Sequence, residues 1–482
     1  MNTNSFALAG IALAMTSCQY KPTQITKNEK VNILWLFGED ISPWMPAFGD
    51  STIATPNIDF LARNGVTFTQ CYSMCPVSST TRSGLVTGAM PTTIGAHNHR
   101  SGRTKMDPYK LPSYVRILPQ LFRKEGYFTY NYGKDDFNWQ YNWNDYWAGD
   151  HEESWYHQSG KPISWRDRKD KNQPFFGEIE LLGGKNNAKT MHPVDPTTIK
   201  VPPYYPNTPF MQKVLAQHYN QIIKTDAEIE EILNELKKDK EVYENTIIVF
   251  FSDNGYRTMR DKQFLYDGGI HMPLIFSCPG NPDLLKQKGI RKDLVSLLDL
   301  TATTLGLANI KIPAYYESKD LFDPEYHRDF IVATRDRCDF TIDRIRAIRT
   351  KEFKYIRNFM TDRPLMQPQY RDGKKGYNYI LKIKAEGKIK FADDWLSKTK
   401  RPAEELYDLK KDPWEIHNLA DDLTYNKQLV TMRNTLNKWI KDTDDKGQYP
   451  ESEGSLKATY VHWGERCSNP EYDKFKKNTP NK

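Results

Sequence analysis

The sequence is short of several features, and each shortage removes a class of function. No block of consecutive lysines and arginines occurs, so no nucleic-acid-binding arm is expected. The six cysteines, Cys18, Cys71, Cys75, Cys278, Cys338 and Cys467, fall at spacings that suit no zinc site. Histidine is scarce, ten in 482 residues, which leaves few candidates for proton transfer near neutral pH. Apart from one short apolar run near the start, Phe6 to Met15, no segment approaches the ~20 residues a membrane-crossing helix needs. No internal repeat is evident.

That short run ends at Thr16-Ser17-Cys18. Small residues ahead of a cysteine resemble a bacterial lipoprotein signal, although no Lys or Arg precedes the apolar stretch. The expectation is a signal peptide over 1–17, a lipid on Cys18 as the first mature residue, and a polar tether over 18–30. Such a protein is exported to the periplasm or outer membrane and touches the membrane only through its lipid. With Cys18 lipidated, five cysteines remain and at least one stays unpaired; spacing selects no disulfide.

What is present is a large soluble chain with 38% hydrophobic and 27% charged residues, enough for a main domain and a smaller one. Sixty-eight basic against 61 acidic residues give a net charge of +7, a mild bias toward anionic ligands. Aromatic content is high at 13%, with 11 Trp and 28 Tyr. It fits either a rich core or a carbohydrate site, where flat rings stack on sugar faces. Residues 137–169, with Trp139, Trp143, Trp147, Trp155 and Trp165, read as an aromatic, polar loop.

Val31 to Phe37 is a continuous apolar run, as in a strand buried on both faces of an α/β sheet. It ends at Gly38-Glu39-Asp40. A second such run, Thr246 to Phe251, ends at Ser252-Asp253-Asn254-Gly255. Pro273 to Phe276 reads as a further strand, and roughly Pro209 to Lys238 as a long amphipathic helix with Ile222, Ile229, Ile232 and Leu236 apolar. Open α/β sheets gather ligands at strand carboxyl ends. Glu39, Asp40, Asp253 and Asn254 would supply an all-oxygen set there, suited to a hard cation, calcium more readily than zinc. Either pair alone equally suits solvated or helix-capping side chains.

The most informative segment runs Pro76-Val77-Ser78-Ser79-Thr80-Thr81-Arg82-Ser83-Gly84-Leu85-Val86-Thr87-Gly88. It resembles the signature of type I sulfatases of the alkaline phosphatase superfamily: a formylglycine precursor (Cys or Ser), then x-Pro-x-Arg-x-x-Leu-x-Thr-Gly. Ser78 falls on the precursor, and Arg82, Leu85, Thr87 and Gly88 match. Thr80 stands where the family has proline, and Cys75 is out of register with Arg82. Further on, Arg346 to Thr350 and Phe353 to Arg357 alternate as partly exposed antiparallel strands do. After a Lys-rich insertion, Glu405 to Leu409, Lys411-Asp412-Pro413 and Asn418-Leu419-Ala420 resemble the family's C-terminal strand, Asp-Pro turn and helix. The resemblance implies an α/β main domain over 31–335, with a largely parallel or mixed sheet flanked by helices. A smaller α+β domain with an antiparallel sheet would follow over 336–482.

The resemblance also implies chemistry. Ser78 would be oxidised to formylglycine by a serine-type maturase, and its hydrated aldehyde would attack sulfur. Glu39, Asp40, Asp253 and Asn254 would hold Ca2+, with Glu39 in place of the commoner aspartate. Arg82 would hold the hydrate, while Lys134 (in Gly133-Lys134) and Lys262 (before Leu265-Tyr266-Asp267-Gly268-Gly269) would bind sulfate. Asp136 replaces the histidine usual two residues after the first lysine. No histidine follows Pro174-Phe175-Phe176 until His192, so Lys185, His192, His97 and His99 all stay open as the proton donor or as substrate contacts. Gly95 to Arg100 and Val201 to Pro209 resemble the branch that includes heparan N-sulfatase; Arg100 and Arg103 suit a uronate carboxylate. The expected substrate is a sulfated polysaccharide or its oligosaccharides. Two alternatives remain: phosphoryl transfer by an unmodified Ser78, and a degenerate sulfatase that only binds glycans.

Overall fold

In the computed structural model, which describes residues 30–153, 158–184, 190–285, 287–388 and 400–476, the first apolar run forms β1, Asn32–Gly38, buried along its whole length. It lies within a seven-stranded sheet whose other members are β2 (Gly65–Phe68), β3 (Phe128–Tyr132), β4 (Phe175–Leu181), β5 (Thr246–Ser252), β6 (Leu274–Ser277) and β7 (Gly289–Arg291). The order is β7-β2-β6-β5-β1-β4-β3, and every pairing is parallel except those of β6. Alternate residues of β1 enter opposite cores. Trp35 packs edge-on against Phe176 and Phe251, each 5.3 Å away, while Leu34 and Leu36 join the cluster under the long helix. Fully burying one such side chain is worth about 1.5–3 kcal/mol, which explains why this strand carries no polar residue between Ile33 and Phe37.

The helix expected over 209–238 is Pro209–Lys237. Thr208 caps it, accepting from the Met211 amide at 3.3 Å, and Pro209 at its first position loses no needed donor. Ile222, Ile229 and Leu236 are buried as the periodicity requires. The tryptophans of the 137–169 region are core residues: Trp139, Trp143, Trp147 and Trp165 are all at most 3% exposed, so none offers a sugar-stacking face. Trp155 lies outside the described residues.

The last third forms a four-stranded antiparallel sheet, β8 (Ile331–Arg335), β9 (Ile345–Arg349), β10 (Phe353–Asn358) and β11 (Glu404–Asp408), in sequence order. Its central strand differs from the alternating, half-exposed pattern expected. β9 is buried throughout, because Arg346 and Arg349 are paired inside the protein. Arg346 holds Asp336 at 2.9 Å and Asp445 at 2.7 Å, and Arg349 holds Asp267 at 3.1 Å. The Asp-Pro turn after β11 is explained by Asp412, whose carboxylate accepts from the amides of Ile416 and His417, both at 2.7 Å. The chain then enters the helix Asn426–Asp442. Cys71, Cys75, Cys278, Cys338 and Cys467 are buried free thiols. Among the described residues, no helix is long and apolar enough to cross a membrane.

Candidate active site

Register brings the acidic pairs together. Gly38 of β1 lies opposite Ser252 of β5 in a parallel ladder, so Glu39-Asp40 and Asp253-Asn254 leave the sheet side by side. Asp40 turns with φ 62°, the left-handed region that Asp tolerates better than most residues. Its amide donates to Asp253 at 3.4 Å, and its carboxylate accepts from the Asn254 amide nitrogen at 2.7 Å.

Ser78 opens the helix α1, Ser78–Thr87, and so sits at the positive end of the helix dipole. Its hydroxyl donates to Glu39 Oε1 at 2.9 Å and lies 3.3 Å from Asn254 Oδ1. Thr80 is two residues into the same turn, where backbone amides have no intrahelical partner; its hydroxyl donates to the Val77 carbonyl at 2.9 Å. Arg82 is buried with its guanidinium 3.7 Å from the centre of the Phe37 ring. One nitrogen donates to the Asp135 carbonyl at 3.2 Å, and Nε and Nη2 have no hydrogen-bond partner among the described residues.

Two lysines face these carboxylates. Lys134 pairs with Glu39, and Lys262 with Asp40. Burial alone would lower the pKa of each, but Glu39 and Asp136 around Lys134, and Asp40 beside Lys262, outweigh it and hold both above the ordinary lysine value. Lys134 leaves β3 through Gly133 at φ 136°, where any Cβ would meet Glu180 at 2.4 Å. The loop bearing Lys262 is held from the Val201–Pro209 segment: Tyr205 donates to the Asp261 carboxylate at 3.0 Å and Tyr204 at 3.4 Å. That gives those adjacent tyrosines a structural purpose beside the site.

Asp136, in place of the family's histidine, is an anionic hub. It lies 3.3 Å from Lys134 Nζ, 2.8 Å from Arg103 and 3.9 Å from Arg100. Burial would raise its pKa, but Lys134, Arg103 and Arg100 hold it well below the usual carboxylate range. Arg100 also binds Asp339 at 3.0 Å, so both arginines read from sequence as carboxylate grips already serve internal carboxylates.

The histidines separate. His99 is buried and lines the pocket. Its Nδ1 lies 3.2 Å from the Asp339 amide nitrogen and 3.3 Å from the Asp339 carboxylate. Burial, opposed by the Asp339 carboxylate, lowers its pKa to about 4. His97 does not line this pocket, and the charges acting on it include those of Asp336 and of Arg346 in β9. His192 is exposed on a loop and does not line the pocket either. Lys185 and Cys18 lie outside the described residues.

Glu39, Asp40, Ser78, His99, Arg100, Lys134, Asp136 and Lys262 thus surround one cavity of about 340 Å³. Its far wall was not foreseen. Arg257, Tyr370, Arg371, Lys374 and Trp463 complete it, four of them from the last third of the chain. Residues 370–374 fall in the Lys-rich insertion, and no motif spacing links them to Ser78.

A carboxylate cluster at parallel strand ends, a helix-borne hydroxyl and two buried lysines define a hydrolase for anionic esters on an alkaline-phosphatase-type sheet. The family described as Sulfatase matches residues 31–310, and the chain belongs to it. An ulvan-active sulfatase of Formosa agariphila is 32% identical over 483 residues, covering 90% of this chain and 78% of that protein. Human N-sulphoglucosamine sulphohydrolase is 25% identical over 490 residues, covering 91% and 94%. A solved 2-O GAG sulfatase shares the fold at 20% identity, with a TM-score of 0.60 over 89% of this chain and 96% of that one.

Proposed function

We propose that this sulfatase-family hydrolase removes sulfate esters from a sulfated polysaccharide or its oligosaccharides, using a formylglycine made from Ser78 and a bound calcium ion. The carrying observation is the Ser78 hydroxyl at a helix N-terminus, 2.9 Å from Glu39 and facing a pocket that Lys134 and Lys262 also line. The names of its relatives, which include ulvan-active sulfatases, support a glycan substrate.

The residues fit a hard cation. Glu39, Asp40, Asp253 and Asn254 offer oxygen donors, and Asp253 Oδ2 is buried with no hydrogen-bond partner among the described residues. When bound, calcium would polarise sulfate and nucleophile oxygens. Burial, with Glu39 adding repulsion, raises the pKa of Asp253 to about 6 in the metal-free protein. Calcium binding must therefore displace a proton below that pH. Calorimetric titration is expected to show affinity level above pH 7 and falling about tenfold per unit below about 6; a flat profile would remove Asp253 from the ligand set.

In the reaction, a hydroxyl of the hydrated aldehyde at position 78 loses its proton and bonds to sulfur as the bond from sulfur to the sugar oxygen breaks. The sugar oxygen takes up one proton. The remaining hydroxyl then loses its proton, the carbon–oxygen bond to sulfate breaks, and the aldehyde is restored, to be rehydrated by water. Lys134 and Lys262 offset the sulfate charge as it develops. Arg82 would hold the hydrate through its unpartnered Nε and Nη2, with the fixed fork of a guanidinium. His99 lines the pocket and would hydrogen-bond the leaving oxygen; with its pKa lowered to about 4 it carries no spare proton at pH 7, and water supplies the proton that the sugar oxygen takes up.

The same reading includes export, a lipid on Cys18 and a serine-type maturase as partner. Mass spectrometry of the Ser78 peptide tests it, using protein made anaerobically with such a maturase. Loss of two hydrogens at Ser78, with sulfate released from sulfated oligosaccharides, is expected. An unmodified Ser78 that cleaves phosphate esters would favour phosphoryl transfer instead, a reading to which Thr80 in the family's proline position lends weight. Glycan binding without turnover, whatever the state of Ser78, would favour a binding protein.

A further inference from the structure

Three cations of the catalytic pocket have carboxylate partners: Lys134 has Glu39 and Asp136, Lys262 has Asp40, and Arg100 has Asp339 and Asp136. Arg371 and Lys374 do not. Arg371 is only 2% exposed. Its Nη2 donates to the Lys262 carbonyl at 2.6 Å and to Gln369 at 2.8 Å, and its ring neighbours are Tyr377 and Tyr370. These contacts fix the guanidinium plane, yet among the described residues its Nη1 has no hydrogen-bond partner and it makes no ion pair, Asp40 and Asp261 acting on it only from a distance. Burying an unpaired guanidinium is costly and persists where a ligand supplies the missing charge. Lys374, exposed at the N-cap of the helix Lys375–Ala385, lines the same pocket and likewise makes no ion pair among the described residues.

The scissile sulfate already has Lys134 and Lys262. We infer that Arg371 and Lys374 form a second anion subsite, which takes a carboxylate or a second sulfate carried by the same or the adjoining sugar. The inference rests on the sulfatase reading and narrows its substrate class to saccharides with at least two anionic groups close together. Trp463, at the end of the helix Glu453–Trp463, lines the same pocket and offers a ring for the sugar face between those groups. A planar guanidinium with one free edge suits an oxyanion of either kind.

The test is calorimetric binding to the full-length protein with calcium present. Three probes serve: a monosulfated disaccharide containing a uronate, the same compound with its carboxyl reduced to an alcohol, and a disulfated disaccharide without carboxylate. The unsubstituted protein is expected to bind at least one dianionic probe about tenfold or more tightly than the reduced one. The better of the two identifies the group. Arg371→Gln and Lys374→Ala should each erase most of that preference while keeping affinity for the reduced probe. Equal binding of all three probes by the unsubstituted protein overturns the subsite and leaves the sulfatase reading standing; failure to bind any of them overturns both. Loss of all three probes alike in Arg371→Gln, with Lys374→Ala unchanged, would make Arg371 a support for Lys262 and overturn the subsite. Lys374 is exposed, so its substitution keeps the test open if the Arg371 variant fails to fold.

Discussion

Replacing Ser78 by alanine is expected to abolish sulfate release from matured protein, a fall of about 10⁴-fold or more. The Ser78 hydroxyl touches both Glu39 and Asn254, and alanine leaves nothing for a maturase to oxidise. The fold should survive, since position 78 is the first residue of a helix and alanine suits helices. Calcium binding should survive with it, because the oxygen ligands come from other elements. Ser78→Cys separates formylglycine chemistry from serine chemistry. Co-produced with an oxygen-dependent maturase that acts on cysteine, it should regain turnover; a plain serine mechanism predicts no such recovery. Thr80→Pro is expected to increase conversion of Ser78. The substitution removes one hydroxyl hydrogen bond to Val77 but no intrahelical amide bond, as position 80 lies in the first turn. Peptide mass spectrometry of the paired proteins would show it.

Asp136→Asn should have the next largest effect, on stability and activity together. The carboxylate holds Lys134, Arg103 and Arg100 in a buried cluster. Removing its charge leaves cations facing one another away from water, a loss of about 3–5 kcal/mol when a buried pair is broken. Released from Asp136, Lys134 would lose its aim, and kcat/KM should fall by about 10²-fold. The pH dependence fixes the cause. A carboxylate whose folded pKa is depressed contributes fully above its unfolded value of about 3.9, and the contribution disappears as pH falls toward the folded value. Denaturant unfolding should therefore show the two proteins far apart at pH 7 and converging below about pH 4. A gap that stays constant would mean that Asn disturbs packing rather than charge. Asp136→His is expected to rescue neither property, because a histidine here would face two arginines and a lysine.

Much of this site could be read before folding was considered. The apolar runs at 31–37 and 246–251 announced buried strands and brought the acidic residues after each to one place, because a parallel ladder delivers its strand ends to one edge. The Ser78 and Lys262 segments were legible because their chemistry depends on short, local spacing. Asp136 was legible only as an absence of histidine. Its role as a hub depends on Arg100 and Arg103, more than thirty residues earlier, and no local pattern connects them. The arginines of β9 misled for a related reason. Alternation predicts an exposed face, but Asp336, Asp445 and Asp267 meet those side chains inside the protein.

The sequence by itself determined the family, the segment that carries Ser78 and the strand-end carboxylates, since these follow from side-chain periodicity and motif spacing within a few turns of chain. Only the tertiary structure decided which histidine faces the pocket and that Trp139, Trp143, Trp147 and Trp165 belong to the core. It also decided that Tyr370, Arg371, Lys374 and Trp463 close the site from the far end of the chain. Burial and ion pairing are set by what packs alongside, and those neighbours lie from ten to more than two hundred residues away.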